Sequence, residues 1–357
     1  MVTVTIREAI RLTLEARKLG QSVLLMGSPG IGKTSVPRAC TEILRADGVE
    51  NPECHIHEAS SLNPTDSKGV PFIWKGVSDF GRPAILPKNE NGQGFVVIDE
   101  VASCNPMTQT SLYPLFQERR LATYTLGKGW TIVGTGNFST DSSFATKISD
   151  ALSDRGMLLN PVANYQEWKQ DYAIPNGINH KILGYLNSRP NKFYTFNDRL
   201  KQTKANPGAK SYSSPRSWEL ASGFIDITET TGNTFLAGLA SYMGESDARD
   251  FKTHLDFHDK MPSIQAIIRG KCKDVPDEPD ILWAATGALP AAIDNIPRDL
   301  SKAMVVSNIF DYIGLLPAEF AVITVEDMLR KEPSITKDPT MRKAWMKWAS
   351  SHREVIL

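Results

Sequence analysis

The sequence has few cysteines, no excess of either charge and no long apolar run, and each absence excludes a class of protein. Its 4 cysteines include no C-x-x-C pair, which argues against a disulfide-stapled secreted domain and against cysteine zinc sites. Lys plus Arg (40) balance Asp plus Glu (40), so a basic nucleic-acid coat or membrane-surface binder is disfavoured. No segment approaches the roughly 18 apolar residues of a membrane span, and no leader pattern opens the chain. We expect a soluble, cytoplasmic protein with no membrane partner.

The remaining composition is that of an ordinary globular protein. Hydrophobic residues make up 41% and charged residues 22% of the 357 residues. This length gives room for about two domains, each able to bury its own core. The chain is therefore expected to fold throughout.

A glycine-rich loop carries the strongest chemical signal. Residues 27–34 read GSPGIGKT and match the phosphate-binding pattern G-x4-G-K-T, with an apolar run before them and a helical pattern after them. The loop N–H groups and the helix start would surround phosphate oxygens, Lys33 would reach the β- and γ-phosphates, and the Thr34 hydroxyl would bind Mg²⁺. The nucleotide-binding residues predicted are Gly27, Ser28, Pro29, Gly30, Ile31, Gly32, Lys33, Thr34 and Ser35.

A second motif, FVVIDE at residues 95–100, supplies carboxylates. Four apolar residues predict a buried strand, and its carboxyl end is where a doubly wound sheet binds ligands. The pattern predicts Asp99 as a Mg²⁺ ligand and Glu100 as the group that polarises the attacking water. A strand that simply ends in solvated acids is the alternative.

Two polar residues follow later strand and helix patterns. Asn137 follows the strand pattern at 130–134, where it either holds the γ-phosphate or the attacking water, or favours a turn. Arg155 ends the run DALSDR. It either caps a helix or pairs with Asp154, or it inserts into the ATP site of a neighbouring subunit.

Arg216 stands in an unfavourable place for a cation. Ser214 and Pro215 predict the start of a helix, so Arg216 lies in its first turn and opposes the helix dipole by roughly 0.3 to 1 kcal/mol. A bound phosphate would reverse that penalty.

The hydrophobic pattern predicts an α/β domain followed by helices. Thr5 and Glu8 have capping-box spacing before a helix that ends near residue 20. Residues 63–94 predict an inserted hairpin with strands near 70–77 and 80–86, and residues 201–213 predict a surface loop. Strands are expected at 22–26, 55–59, 95–99, 130–134 and 157–160.

In this order, the motifs resemble those of the MoxR branch of the AAA+ ATPases. Likeness also extends along residues 99–130, 215–219 and 316–320, so it covers nearly the whole chain. The corresponding stations are Walker A (27–34), Walker B (95–100), sensor 1 (135–137), the arginine finger (151–155) and sensor 2 (214–216).

The resemblance implies a domain organisation and an assembly. It implies an α/β P-loop AAA+ domain with a five-stranded parallel sheet over residues 1–161, including an insert in helix 2 at about 60–92. A smaller all-α lid at 162–300 and a helical C-terminal tail at 301–357, packed on the lid, would follow. The chain would form a homo-oligomeric ring of about six subunits, a hexamer, with the insert and a hairpin at 122–130 lining its pore or partner face.

The implied activity is Mg²⁺-dependent ATP hydrolysis that drives chaperone-like remodelling or activation of a partner protein. Lys33, Glu100, Asn137, Arg155 and Arg216 would be the catalytic residues, and the cofactors would be ATP and Mg²⁺. A protein carrying a von Willebrand factor A domain is the partner that the resemblance implies. The alternatives are a nucleic-acid motor or loader in DNA packaging, replication or restriction, and a scaffold assembled by ATP binding.

Two positions depart from the pattern of the branch: Pro114, inside the helix after Walker B, and the residue after the finger arginine. The residue after the finger arginine is usually aromatic in the branch, whereas this chain has Gly156. The departure puts the local packing of Arg155 in question.

Overall fold

The chain divides into two units, Met1–Asn164 and Tyr165–Leu357. The computed structural model describes residues 1–140, 148–205, 210–228, 232–258, 260–294 and 296–351. Within these ranges, no helix is both long enough and apolar enough to cross a membrane.

The N-terminal unit is built on a parallel sheet of six strands in the order β1-β10-β2-β9-β6-β3. All five predicted strands are confirmed, and two antiparallel hairpins, β4-β5 and β7-β8, accompany the sheet. The strands are β1 Val2–Thr5, β2 Val23–Met26, β3 Glu53–Glu58, β4 Pro71–Trp74, β5 Val77–Phe80, β6 Gly94–Asp99, β7 Arg120–Leu121, β8 Tyr124–Thr125, β9 Trp130–Gly136 and β10 Met157–Val162.

The sixth strand, β1, is absent from the sequence-based expectation. It pairs in parallel with β10, and Val2 lies opposite Leu159. The run VTVT has only 4 residues and ends at once in Thr5, the N-cap of the first helix. Such a short strand exists because β10 offers it a free edge, which no local pattern reveals.

The described part of the N-terminal unit contains five helices, and the predicted capping box at the first of them is confirmed. The Thr5 hydroxyl accepts from the Glu8 N–H at 3.2 Å, and the Thr5 N–H donates to the Glu8 carboxylate at 2.7 Å. The helices are α1 Ile6–Lys18, α2 Ser35–Ala46, α3 Pro64–Lys68, α4 Pro106–Glu118 and α5 Asp150–Ser153, with a 3₁₀ turn at Ala59–Ser61.

The sheet is buried on both faces, as the near-continuous apolar strands require. Alternate residues of β2 enter different clusters: Leu24 packs with residues of α4, and Leu25 packs with residues of α1 and α2. This two-sided core fixes the register of the central strands and hence the position of the residues that follow them.

The insert after β3 contains a hairpin, but its second strand differs from the prediction. β5 covers Val77–Phe80, and the predicted strand at 80–86 is wrong. Its turn places Lys75 and Gly76 in the left-handed region, at φ 51° and 77°. Residues 85 and 86 are apolar because they pack into the core of the unit and not because they form a strand.

In the described residues of the C-terminal unit, all regular secondary structure is helical. α8 continues to Ala205, so the predicted loop at 201–213 is wrong for its first residues, while residues 206–209 lie outside the described chain. Its helices are α6 Tyr165–Trp168, α7 His180–Ser188, α8 Phe196–Ala205, α9 Pro215–Ile227, α10 Gly232–Met243, α11 Glu245–His258, α12 Ile264–Ile268, α13 Pro279–Ala291, α14 Lys302–Ile313, α15 Ala318–Lys331 and α16 Pro339–Ser351, with a π-helical turn at Lys169–Ala173 and 3₁₀ turns at Pro190–Lys192, Ala292–Asp294 and Pro333–Thr336.

One hydrophobic cluster joins α12 and α13 to the last three helices. Trp348 of α16 is buried in it, and Trp345 packs against it. The aromatic residues near the C-terminus therefore contribute to packing.

Candidate functional site

Three neighbouring strands deliver the predicted polar residues to one edge of the sheet. β2, β9 and β6 are adjacent and parallel, with Met26 opposite Gly136 and Ile98 opposite Gly134. Their carboxyl ends lead into the loop 27–34, the Asp99 carboxylate and the segment that holds Asn137. Parallel pairing thus brings together motifs that are far apart in the sequence.

The loop conformation depends on glycine at two positions. Gly30 and Gly32 have φ values of 80° and 101°, a region that residues with a Cβ rarely adopt. Ile31 between them is buried and anchors the loop to the core. The Ser35 N–H donates to the Gly32 carbonyl at 3.1 Å, where α2 begins. The loop therefore leads directly into the amino end of a helix.

Lys33 folds back across this loop. Its ammonium donates to the carbonyls of Gly27 and Ser28, each at 2.8 Å, and to Asn137 Oδ1 at 2.9 Å. The side chain is buried, with the residue only 8% exposed, so these charge-assisted hydrogen bonds act in surroundings of low polarity. Lys33 and Asn137 thus form a direct contact between the loop and the end of β9.

Asp99 is the second centre of the site. Thr34 Oγ1 lies 3.2 Å and 3.1 Å from the two Asp99 carboxylate oxygens, and the Thr135 hydroxyl donates to the same carboxylate. Thr135 belongs to the predicted sensor 1 motif at 135–137, in which only Asn137 has a predicted role. Thr135 is buried, with an exposed fraction of 1%, and only the pairing of β9 with β6 brings its hydroxyl to the Asp99 carboxylate.

These oxygens fit Mg²⁺. The ion prefers hard oxygen ligands and usually takes one or two from the protein, with phosphate and water completing the octahedron. In the described ranges, no group of three or more His, Cys, Asp or Glu residues is arranged to hold a metal. The Thr34 hydroxyl and the Asp99 carboxylate therefore suit an ion that shares its coordination with a phosphorylated ligand.

Glu100 stands in an unusual backbone conformation. Its φ is 55°, which for a non-glycine residue costs of order 1 kcal/mol. Neighbouring bonds impose it: the Val101 N–H donates to the Thr135 carbonyl, and the Ser103 N–H donates to the Glu100 carbonyl, both at 2.8 Å. The carboxylate is exposed at the same edge as Asp99. Backbone strain of this kind clusters at active sites.

Arg155 lies against α4 and makes its described contacts there and in α5. Its Nε donates to Gln117 Oε1 at 3.1 Å, its guanidinium lies 4.8 Å from the centre of the Tyr113 ring, and it also donates to the Ala151 carbonyl. The described residues show no ion pair between Arg155 and Asp154. The structure therefore does not bring Arg155 to the loop of its own chain.

Arg216 belongs to the C-terminal unit, at the second position of α9. The predicted helix start is confirmed, because Ser214 Oγ accepts from the Ser217 N–H at 3.2 Å and Pro215 is the first helical residue. Arg216 is exposed.

A buried carboxylate that sequence reasoning missed holds the residues before α9. Asp247 accepts from Ser213 Oγ at 2.7 Å, from Thr195 Oγ1 at 2.8 Å and from Lys192 Nζ at 2.8 Å. Nothing in the local sequence around Asp247 marks it, because its partners come from other helices and connections.

Comparisons with known proteins show low structural similarity. A scan against protein-family models finds no match, and a search of the curated proteins finds no relative. Among solved structures, a RuvB mutant from Thermotoga maritima is 17% identical, with 83% of this chain and 84% of that chain covered and a TM-score of 0.35. NtrX from Brucella abortus in complex with ADP is 13% identical, with 98% and 67% covered and a TM-score of 0.33. The Aeropyrum pernix ORC2 protein is 14% identical, with 97% and 84% covered and a TM-score of 0.32.

Proposed function

We propose that this protein is a Mg²⁺-dependent ATPase of the AAA+ type. The observation that carries the proposal is the paired arrangement at the sheet edge. Lys33 contacts Asn137 at the end of one strand, and Thr34 contacts Asp99 at the end of the next. The order of the motifs supports the same reading.

Each residue then has a chemical role. The loop N–H groups bind the ATP phosphates, and Lys33 and Arg216 neutralise charge on the γ-phosphate. Thr34 and Asp99 would hold Mg²⁺, which when bound would supply charge neutralisation and orientation to the ATP phosphates. Glu100 accepts a proton from the attacking water, and Asn137 orients that water. Thr135 holds the Asp99 carboxylate toward Thr34.

We further propose a MoxR-like ring, a homo-oligomer of about six subunits, that remodels or activates a partner protein. In such a ring Arg155 completes the site of the neighbouring subunit. The β4-β5 hairpin leaves three apolar side chains exposed: Ile73 by 79%, Trp74 by 65% and Val77 by 66%. Exposed apolar patches mark interaction sites, which supports the proposal that the client is a protein. A client with a von Willebrand factor A domain is part of this proposal.

The experiment is phosphate release from ATP by the purified full chain. Lys33→Ala should lose ATP binding and turnover. Glu100→Gln should bind ATP but hydrolyse it at least about 100-fold more slowly, because the water loses its base. Lys18→Ala and Glu15→Gln, which alter an exposed pair on α1, are the matched controls. Turnover by Glu100→Gln at the wild-type rate would rule out the catalytic assignment.

Added nucleic acid separates the proposed client from the alternative. A nucleic-acid motor predicts ATPase stimulation by DNA and binding that weakens steeply with salt. A protein remodeller predicts neither, and predicts ATP-dependent capture of its client by Glu100→Gln rings.

A further inference from the structure

The guanidinium of Arg155 is held by a specific pair of side chains on α4. Tyr113 offers its ring face at 4.8 Å, and Gln117, one helical turn later, accepts from Arg155 Nε at 3.1 Å. Residues four apart lie on the same helix face, so one stripe of α4 provides both contacts. A flat cation on an aromatic face, with hydrogen bonds to Gln117 and to the Ala151 carbonyl, has a defined direction as well as a defined position.

The position after Arg155 cannot provide an aromatic contact. A Cβ on Gly156 would lie 2.9 Å from the Ser22 carbonyl oxygen and 3.1 Å from its carbon. The approach is tight because the Met157 N–H donates to that carbonyl at 2.8 Å, where β10 begins to pair with β2. Glycine is therefore required here by the sheet, and the aromatic partner of Arg155 comes from α4.

The tyrosine that contacts Arg155 is itself fixed. Its hydroxyl lies 2.7 Å from Ser149 Oγ, and Ser149 caps α5 by accepting from the Leu152 N–H at 3.2 Å. The opposite side of α4 is anchored by Leu112, Leu115 and Phe116, all fully or almost fully buried. The Tyr113 ring therefore has little freedom to move. Because Tyr113 is fixed on α4, it holds Arg155 in a fixed position.

We propose that Tyr113 and Gln117 are positioning residues for the arginine finger and hold Arg155 in the direction needed to enter the neighbouring subunit's ATP site. α4 follows closely after Asp99 and Glu100. In a ring, it would therefore connect these residues of one ATP site to Arg155, which acts at the ATP site of the neighbouring subunit. This inference rests on the proposed function, because it requires a ring in which Arg155 acts across subunits.

Steady-state kinetics on assembled rings give the first test. Tyr113→Leu should lower kcat about tenfold and leave the KM for ATP within about twofold, because the chain's own nucleotide contacts remain. Tyr113→Phe keeps the ring and should stay within about threefold of wild type. Gln117→Leu should lower kcat less than Tyr113→Leu. Phe257→Leu removes another half-buried aromatic ring that lies against a cation, Lys260 at 4.9 Å, and is the matched control with an unchanged rate.

Subunit mixing measures the rate of ATP hydrolysis that is recovered in mixed rings. A general loss of stability in one variant would not produce such a recovery. Tyr113→Leu subunits keep an intact site, and Lys33→Ala subunits keep an intact finger. Mixed rings should therefore hydrolyse ATP faster than the sum of the two separate proteins. In the Arg155→Ala background, Tyr113→Leu should cause no further loss.

The same mixing separates the two levels of the proposal. If Arg155→Ala is not rescued by Lys33→Ala subunits, the finger assignment in the proposed function fails. If Arg155→Ala is rescued but Tyr113→Leu retains the wild-type rate, or is slow and not rescued, the positioning role is overturned. Should Tyr113→Leu fail to fold, Gln117→Leu takes its place in the mixing experiment and the same outcomes apply.

Discussion

The two units use the same kinds of charged group in opposite ways. In the N-terminal unit, the buried Lys33 lies in the loop after β2, and the half-buried Asp99 ends β6 beside the exposed Glu100. In the C-terminal unit, Lys169 and Asp327 form an ion pair at 2.7 Å with side chains only 4% and 6% exposed. Asn187 joins that pair by accepting from Lys169 at 3.0 Å and from the Tyr165 hydroxyl at 2.7 Å.

This difference shows that the position of a charged group decides whether it can act on a ligand or only stabilise the fold. The N-terminal groups are grouped at a sheet edge, where a ligand can take over their hydrogen bonds. The C-terminal groups are enclosed between the π-helical turn, α7 and α15, where exchange with a ligand would leave a buried charge unpaired. Burial raises the pKa of the Asp327 carboxyl in spite of Lys169 beside it. The first set should therefore govern activity and the second should govern stability.

The largest effect should come from Arg155. Arg155→Ala should slow ATP hydrolysis by about 10³ to 10⁵-fold, or roughly 4 to 7 kcal/mol, because an arginine finger neutralises charge in the transition state. Since the side chain is only half-buried, the melting temperature should stay within a few degrees of wild type. Phosphate release and thermal unfolding measure the two quantities. A rate within tenfold of wild type would contradict the assignment.

For the buried ion pair of Lys169 and Asp327, we expect an effect on stability and not on activity. Lys169→Met should lower the free energy of unfolding by about 3 to 5 kcal/mol, because Asp327 would then be buried without its countercharge. The double variant Lys169→Met/Asp327→Leu should recover most of that loss. Urea unfolding checks both. An equal loss in the single and double variants would show that packing, and not the uncompensated charge, is responsible.

Acid should weaken the C-terminal unit through His254. The ring is buried against Tyr185 and Phe251, and neither of its nitrogens has a hydrogen-bond partner among the described residues. Burial, with the nearby Arg189 charge, lowers its pKa from 6.5 to about 4. The unfolded chain therefore binds this proton more readily. As pH falls from about 6.5 to about 4, the free energy of unfolding should decrease by up to about 3 kcal/mol.

Urea titrations at several pH values measure this dependence. His254→Phe keeps an aromatic ring in the cluster and removes the proton-binding nitrogens, so it should flatten the acid limb of the curve. An unchanged acid limb in that variant would assign the pH dependence to other groups.

The smallest effect should come from the cap of α9. Ser214→Ala removes the acceptor for the Ser217 N–H and should lower the free energy of unfolding by about 1 kcal/mol. Ser350→Ala, in the last helix and not at a cap, is the control. If both substitutions lower it equally, the loss does not come from capping.

Most of the site could be predicted from the sequence, because its chemistry depends on short motifs. The loop 27–34 needs glycine for its backbone, and FVVIDE combines a buried strand with two acids, so each motif indicates its own local structure. Thr135, Tyr113 and Gln117 were not assigned roles, because each acts on a partner brought close only by the sheet or by helix packing. The strand predicted at 80–86 was wrong because core-facing apolar residues resemble a strand when read locally.

The sequence by itself determined the α/β pattern, the phosphate-loop chemistry and the helix caps, because these depend on residues within a few positions of one another. Only the tertiary structure decided that Val2–Thr5 adds a sixth strand, that Asp99 receives two threonine hydroxyls, and that Gly156 has no room for a side chain. The physical reason is the same in each case. Pairing and packing between distant segments set those distances, and no local pattern records them.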